Sequence, residues 1–219
     1  MFESYMAKQY LTALLDTVTM VGSAASVSAL GGLVLALILV TTGPRDLYAS
    51  PTLHRIVGSA VNLFRSVPFI ILLVILLPIT RVIVGTTIGV WAAVVPLSIA
   101  GIPFFARIAE ISLREVDRGL IEAAQAMGAS RWNIVRHVLL PEALPGIVSG
   151  LTITVVAMIG SSAMAGAVGA GGLGDLAIRY GYQRFDNTLM FAVLVGLVLL
   201  VSAVQGIGDL SVRRLDHRR

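Results

Sequence analysis

Long apolar runs separated by short polar segments dominate this chain. Runs near Thr17–Thr42, Ser59–Thr80, Ile88–Ala106, Gly146–Val168 and Thr188–Ile207 stand out. Each approaches the roughly 20 mostly apolar residues needed to cross a hydrocarbon core about 30 Å thick. The pattern predicts an all-α, polytopic membrane protein with about five transmembrane helices. Arg65 interrupts the second run; its charge should snorkel to the membrane boundary or face protein. No linker, repeat or low-complexity tract divides residues 1–219, which read as one domain.

The polar stretch Glu122–Gly146 (EAAQAMGASRWNIVRHVLLPEALPG) breaks the pattern. It sits in a loop spanning about 107–145. Asp117 is placed to cap a short helix over Leu120–Met127, with Glu122 in the first turn, where a negative charge suits the macrodipole. Gly128 is placed as the residue beyond the helix that takes positive φ. Ser130 can cap a second short helix carrying Trp132, Ile134, Val135 and Val138. Pro141 is expected to end it, and Pro145 to sit in the first turn of the next span. Ala123, Ala124 and Met127 form a small, smooth face. Such a face suits docking into a partner's groove, or packing of the loop on the chain's own spans.

Composition and charge sharpen the picture. The chain is 57% hydrophobic and 13% charged, with mean hydropathy +0.91, against about 45–50% and 25% in soluble domains. It has no cysteine, which excludes disulfides and thiolate metal sites. Its histidines, His54, His137 and His217, show no metal-ligand spacing. With the N-terminus outside, every one of the 16 Lys and Arg residues except Lys8, Arg81, Arg179 and Arg184 falls on the inner side. The positive-inside rule favours that threading, which puts the polar insert, the Arg45–Arg55 loop and the C-terminal tail in the cytoplasm. The first run is too long, and its flank with Glu3 and Asp16 too acidic, for a cleaved signal; it is expected to be a membrane helix.

Glu122, Ala123, Ala124, Gly128, Val138, Leu140 and Pro141 resemble the EAA motif of binding-protein-dependent ABC importer permeases, with Val138 where Ile is usual. Phe64–Gly89 (FRSVPFIILLVILLPITRVIVGTTIG) and Gly166–Phe185 (GAVGAGGLGDLAIRYGYQRF) are similar to the methionine-importer permeases. The resemblance implies a type I ABC importer architecture in the bacterial inner (plasma) membrane. It also implies a homodimer surrounded by membrane lipid, two cytoplasmic ATP-binding cassette subunits carrying ATP and Mg, and an extracytoplasmic methionine-binding lipoprotein. Glu122, Ala123, Ala124, Met127 and Gly128 would then form the ATPase-coupling helix. The chain itself would bind no cofactor, hold no metal, carry no catalytic residue and meet no nucleic acid.

The single lysine, Lys8, cannot serve a P-loop, so an ATP engine is expected in a separate subunit. The glycines of Gly166–Gly174 have no preceding strand and do not read as phosphate-binding. Apart from Arg65, the five runs lack charged residues and histidine, which argues against an ion-coupled carrier. No charged ring or filter loop points to a channel. A structural membrane subunit would leave the insert unexplained. Another amino acid or a methionine derivative remains an alternative substrate.

For the substrate path the candidates are Met158, Ser161, Ser162 and Met164 in the fourth run, with Pro68 and Phe69 in the second. Thioethers can contact a thioether substrate, serines can hold its amino-acid head, and Met164 sits where a gate would lie. The competing account is packing, with Ser162/Gly166 and Ala163/Ala167 as small-x-x-x-small pairs. Pro68, Pro96 and Pro103 read either as sites that free a backbone carbonyl toward a cavity or as ordinary kinks. Tyr180 and Tyr182, in the outer segment Leu173–Phe185, suit an interface belt, a contact for the binding protein or a seal on the outer mouth.

Overall fold

A computed structural model describes residues 2–44 and 46–215. Arg45, Arg218 and Arg219, which entered the topology argument, and His217 lie outside the described residues. The described chain is helical: α1 (Phe2–Thr41), α2 (Pro51–Ser66), α3 (Phe69–Val84), α4 (Val90–Arg114) and α5 (Arg118–Ala126) come first. They are followed by α6 (Arg131–Ile134), a wide π-turn (Val135–Leu139), α7 (Leu140–Gly166), α8 (Gly172–Leu176), a second π-turn (Ala177–Tyr182) and α9 (Asn187–Leu215).

Helix α1 is the spine. Its 40 residues span about 60 Å, roughly twice the hydrocarbon thickness. It therefore starts well before Thr17, and the turns carrying Lys8, Thr12 and Asp16 extend the span at its N-terminal end. One side of α1 presents Ser28, Gly32 and Ala36, all buried, at the spacing that lets helices approach closely in lipid. Helix α4 lies against them. A Cβ on Gly32 would stand 2.8 Å from the backbone oxygen of Ile102 and 2.8 Å from the Phe105 ring, so only glycine fits there. Three apolar clusters follow one another along α1. The first, toward its N-terminus, pairs Ala13 with Leu173 and Val193, the middle one Met20 and Ala24 with Leu97 and Met158, and the last, toward its C-terminus, Ala36 with Phe105, Leu113 and Leu139.

The second predicted span is not one helix. Helices α2 and α3 meet at a bend of 107°. The cause is local: a residue before proline is driven out of the α region, and Val67 lies at φ −84°, ψ 124°. Pro68 then has no N–H to continue the ladder. It is an elbow, not a kink. Helix α2 carries Leu53, Ile56, Leu63 and Phe64 exposed along one side, with Thr52, Arg55, Ser59 and Asn62 on another, as suits a helix lying in a membrane interface. Pro96 and Pro103, by contrast, sit inside an unbroken α4. Four helices are long and apolar enough to span a membrane, or five if the bent pair counts as one span.

Within 107–145, α4 continues through Arg114, α5 follows from Arg118 and α6 from Arg131. Pro141 does not end a helix. The π-turn before it, closed by a Leu140 N–H to Val135 O bond, widens the backbone where a proline ring would meet the preceding turn. Helix α7 therefore runs on, with Pro145 inside it and not in its first turn.

Candidate functional site

Two features of the fold join into one candidate site, a capped helix in the loop after α4 and a cavity at the elbow. Helix α5 is held at both ends. The Asp117 carboxylate accepts from the Gly119 N–H at 2.7 Å. The Gly128 N–H donates to Gln125 O at 2.9 Å and the Ala129 N–H to Ala124 O at 3.0 Å, a Schellman close that requires the positive φ of Gly128, 79°. Ser130 then caps α6 by accepting from the Asn133 N–H at 3.3 Å. Because α5 begins at Arg118, Glu122 lies in its second turn, away from the strongest end of the dipole. Its side chain borders a groove of about 230 Å³ shared with Asp46, Arg114, Arg118 and Gln125.

The expected smooth face divides in two. Ala124 is 5% exposed and packs inward, whereas Met127 is 82% exposed. Ala123 and Leu120 are also exposed. Ala124 seats the helix, and Leu120, Ala123 and Met127 face outward.

An ion-pair cluster braces the helices from which α5 hangs. Glu110 is 3% exposed. It accepts from Arg107 Nη1 at 2.8 Å and from Arg114 Nε at 2.9 Å. Arg114 Nη2 also donates to the backbone oxygen of Leu39, at 3.2 Å. His54 Nδ1 lies 3.0 Å from that same oxygen, so the ends of α1, α2 and α4 converge on one carbonyl. Sequence reasoning missed this cluster and treated its arginines only as topology markers. The i, i+3 and i, i+4 spacing of Arg107, Glu110 and Arg114 was the available signal.

The cavity lies between the elbow, α4 and α7. It holds about 180 Å³ and is lined in part by Arg65, Phe69, Gly101, Phe104, Met158 and Ser161. Three of the predicted path residues, Phe69, Met158 and Ser161, thus share one space, with Pro68 forming the bend beside it. Met158 reaches in from α7 with its methyl against Gly101, where a Cβ would collide with it and with Ser28. The Ser161 hydroxyl donates to Ala157 O at 3.2 Å and keeps acceptor capacity.

Ser162 and Met164 are elsewhere. Ser162 is buried and donates to Ile159 O at 2.7 Å. Met164 is 52% exposed on the outer surface of α7. Gly166 and Ala163 serve close packing, because α8 crosses there and Gly174 rests on the Ala163 backbone. Arg65, Gly101 and Phe104 were not singled out as path residues, since hydropathy alone does not show which helix faces converge.

In the segment after α8, Tyr182 is exposed, while the guanidinium of Arg184 lies 4.6 Å from the centroid of the Tyr180 ring. Among the described residues no group of His, Asp or Glu is arranged to hold a metal.

Comparison with known proteins agrees with this geometry. Residues 29–219 match the family model described as binding-protein-dependent transport system inner membrane component. The probable D-methionine transport system permease protein MetI of Vibrio cholerae is 52% identical over 208 residues, covering 95% of this chain and 92% of that protein. The methionine import system permease protein MetP of Bacillus subtilis is 44% identical over 181 residues, covering 83% and 82%. Among solved structures, a chain of the MetNI methionine ABC transporter in an inward-facing conformation superposes with a TM-score of 0.95. It is 48% identical, with 97% of this chain and 98% of that chain covered.

Proposed function

The chain belongs to the family of binding-protein-dependent transport system inner membrane components, and we propose that it is the permease subunit of an ATP-driven methionine importer. It is a membrane component and is not itself catalytic. The relatives named as methionine permeases, and the fold shared with the methionine transporter, support methionine as the transported molecule.

In this reading two copies form the translocation path, with their N-termini outside and C-termini in the cytoplasm. A separate ATPase carrying ATP and Mg sits below each copy, and a methionine-binding lipoprotein delivers substrate from outside. The observation that carries the coupling role is the construction of α5. It is capped at both ends and seated by Ala124, and it leaves Leu120, Ala123 and Met127 free for a partner. Its neighbours in the chain are α4 and α6, and both lead into the cluster toward the C-terminus of α1 through Leu113 and Leu139. A push on α5 is therefore delivered to α4 and α7, the two helices that wall the cavity. Closure of the ATPase dimer would move α5 as a rigid lever and switch the path between inward and outward opening.

Ala123→Asp tests this. It places a charge on the outward face without touching the caps. Expected is loss of ATPase co-purification and of ATP-driven methionine uptake, with the permease still folded. Unchanged association and uptake would overturn the coupling assignment.

A further inference from the structure

Arg65 is the charged residue that interrupts the apolar runs, and the fold brings it to the elbow cavity. It enters none of the ion pairs among the described residues. Its side chain is exposed at the mouth of that cavity, so its charge is open to an anion that enters. Around it the walls are apolar: the Phe69 and Phe104 rings and the Met158 thioether, with the Ser161 hydroxyl. At about 30 Å³ per water, 180 Å³ corresponds to about six waters, a size that suits a free amino acid and not a peptide.

On the importer reading above, we infer that this cavity is a substrate-recognition site within each protomer, with Arg65 pairing the carboxylate of the amino acid and Phe69, Phe104 and Met158 gripping its apolar side chain. A guanidinium makes two parallel charge-assisted bonds to a carboxylate. A thioether packs favourably on aromatic edges and on another sulfur-bearing chain. The Ser161 hydroxyl, with acceptor capacity to spare, faces the amino group. The cavity lies between α4 and α7, so the lever that moves those helices also opens or closes the site. A lipid phosphate is the other anion that could reach Arg65. The aromatic and thioether walls beside Arg65 favour the amino acid.

The test uses the permease purified with its ATPase partner in lipid nanodiscs, photolabelled with the diazirine analogue of methionine and mapped by mass spectrometry. Expected is labelling of segments 64–69, 97–104 or 154–161, blocked by excess methionine. Methioninamide, which lacks the carboxylate charge, should need about tenfold more for the same protection, a difference of about 1.4 kcal/mol. Arg65→Gln should abolish that preference, and Arg65→Lys should retain part of it, which separates loss of charge from loss of fold.

Equal protection by the amide in the parent protein, or an unchanged preference in Arg65→Gln, would overturn the site. So would labelling of the parent that emerges only when anionic lipid is removed, since that assigns Arg65 to a lipid phosphate. ATP-driven uptake by the same preparation in proteoliposomes distinguishes the two failures. Uptake without cavity labelling overturns the site and leaves the importer standing, whereas absence of both uptake and ATPase activity removes the importer reading and the site with it.

Discussion

Helices α4 and α9 are nearly interchangeable by hydropathy and quite different in the fold. Both are long and apolar enough to cross a membrane, yet the most apolar stretch of α4 is 56% buried in protein and that of α9 only 11%. Helix α4 is enclosed by α1, α3 and α7 and carries Glu110, Gly101 and two prolines. Helix α9 turns Phe191, Leu194, Val198 and Leu199 outward. A lipid chain and a leucine side chain offer a helix the same apolar surroundings, so the two environments write similar sequences. What separates them is a buried paired charge, Glu110 with Arg107 and Arg114, which α4 carries; close-approach glycines occur in both, Gly101 in α4 and Gly196 and Gly208 in α9.

The largest effect should come from breaking that paired charge. Removing both cations, Arg107→Ala with Arg114→Ala, leaves the Glu110 carboxylate buried without its partners. Loss of the partners of a buried charge typically costs about 3–5 kcal/mol. The expected outcome is a steep fall in folded yield and in unfolding temperature, partly restored by adding Glu110→Gln, which removes the stranded charge. A double variant as stable as the parent would show that the inner end of α4 is wet and the contrast with α9 smaller than drawn. Matched removal of Arg213 and Arg214 at the end of α9 should change folded stability little.

The next effect down concerns close approach. Gly32→Val would drive a side chain into the Ile102 carbonyl and the Phe105 ring. Overpacking of this kind costs about 1–3 kcal/mol, occasionally more. Gly22, on the same helix, would meet nothing within 4 Å on gaining a Cβ, so Gly22→Ala is the matched control. Thermal unfolding of the detergent-purified proteins should fall for the first and hold or rise slightly for the second. Equal behaviour of the two would mean that the α1–α4 contact does not set the stability of the bundle.

The same contrast explains what could be read in advance. The caps of the α5 loop were legible, because caps are local devices. Asp117, Gly128 and Ser130 announce themselves by residue type and spacing, and each sits where expected. The span count was legible from run length. The elbow was not, because a window of about 20 residues averages α2 and α3 into one run, although Val67–Pro68 held the local cue. Burial was not legible either. Ser162 and Ser161 are neighbours in an apolar run, and nothing in that run says that one faces Ile159 and the other the cavity. Arg65 read as an interruption because its meaning depends on α4 and α7, which are distant in sequence. Pro141 was misread for a related reason. Its effect is absorbed by the π-turn before it, a backbone adjustment that residue preferences do not encode.

The smallest predicted effect tests the exposed side of the comparison. Gly206 lies within α9, and a Cβ there would meet nothing within 4 Å. With no collision to offset it, the backbone freedom that glycine loses on becoming helical decides the outcome, so Gly206→Ala should stabilise by about 0.4–1 kcal/mol. For a chain of this size that corresponds to a rise of about 1–4 °C in unfolding temperature. The measurement is a thermal scan of the purified permease, in detergent and again in complex with its ATPase. A rise in both leaves α9 bordered by lipid along this turn. A rise in detergent that becomes a fall in the complex would place Gly206 under another protein surface, and α9 would then share in one assembled state the close packing that distinguishes α4.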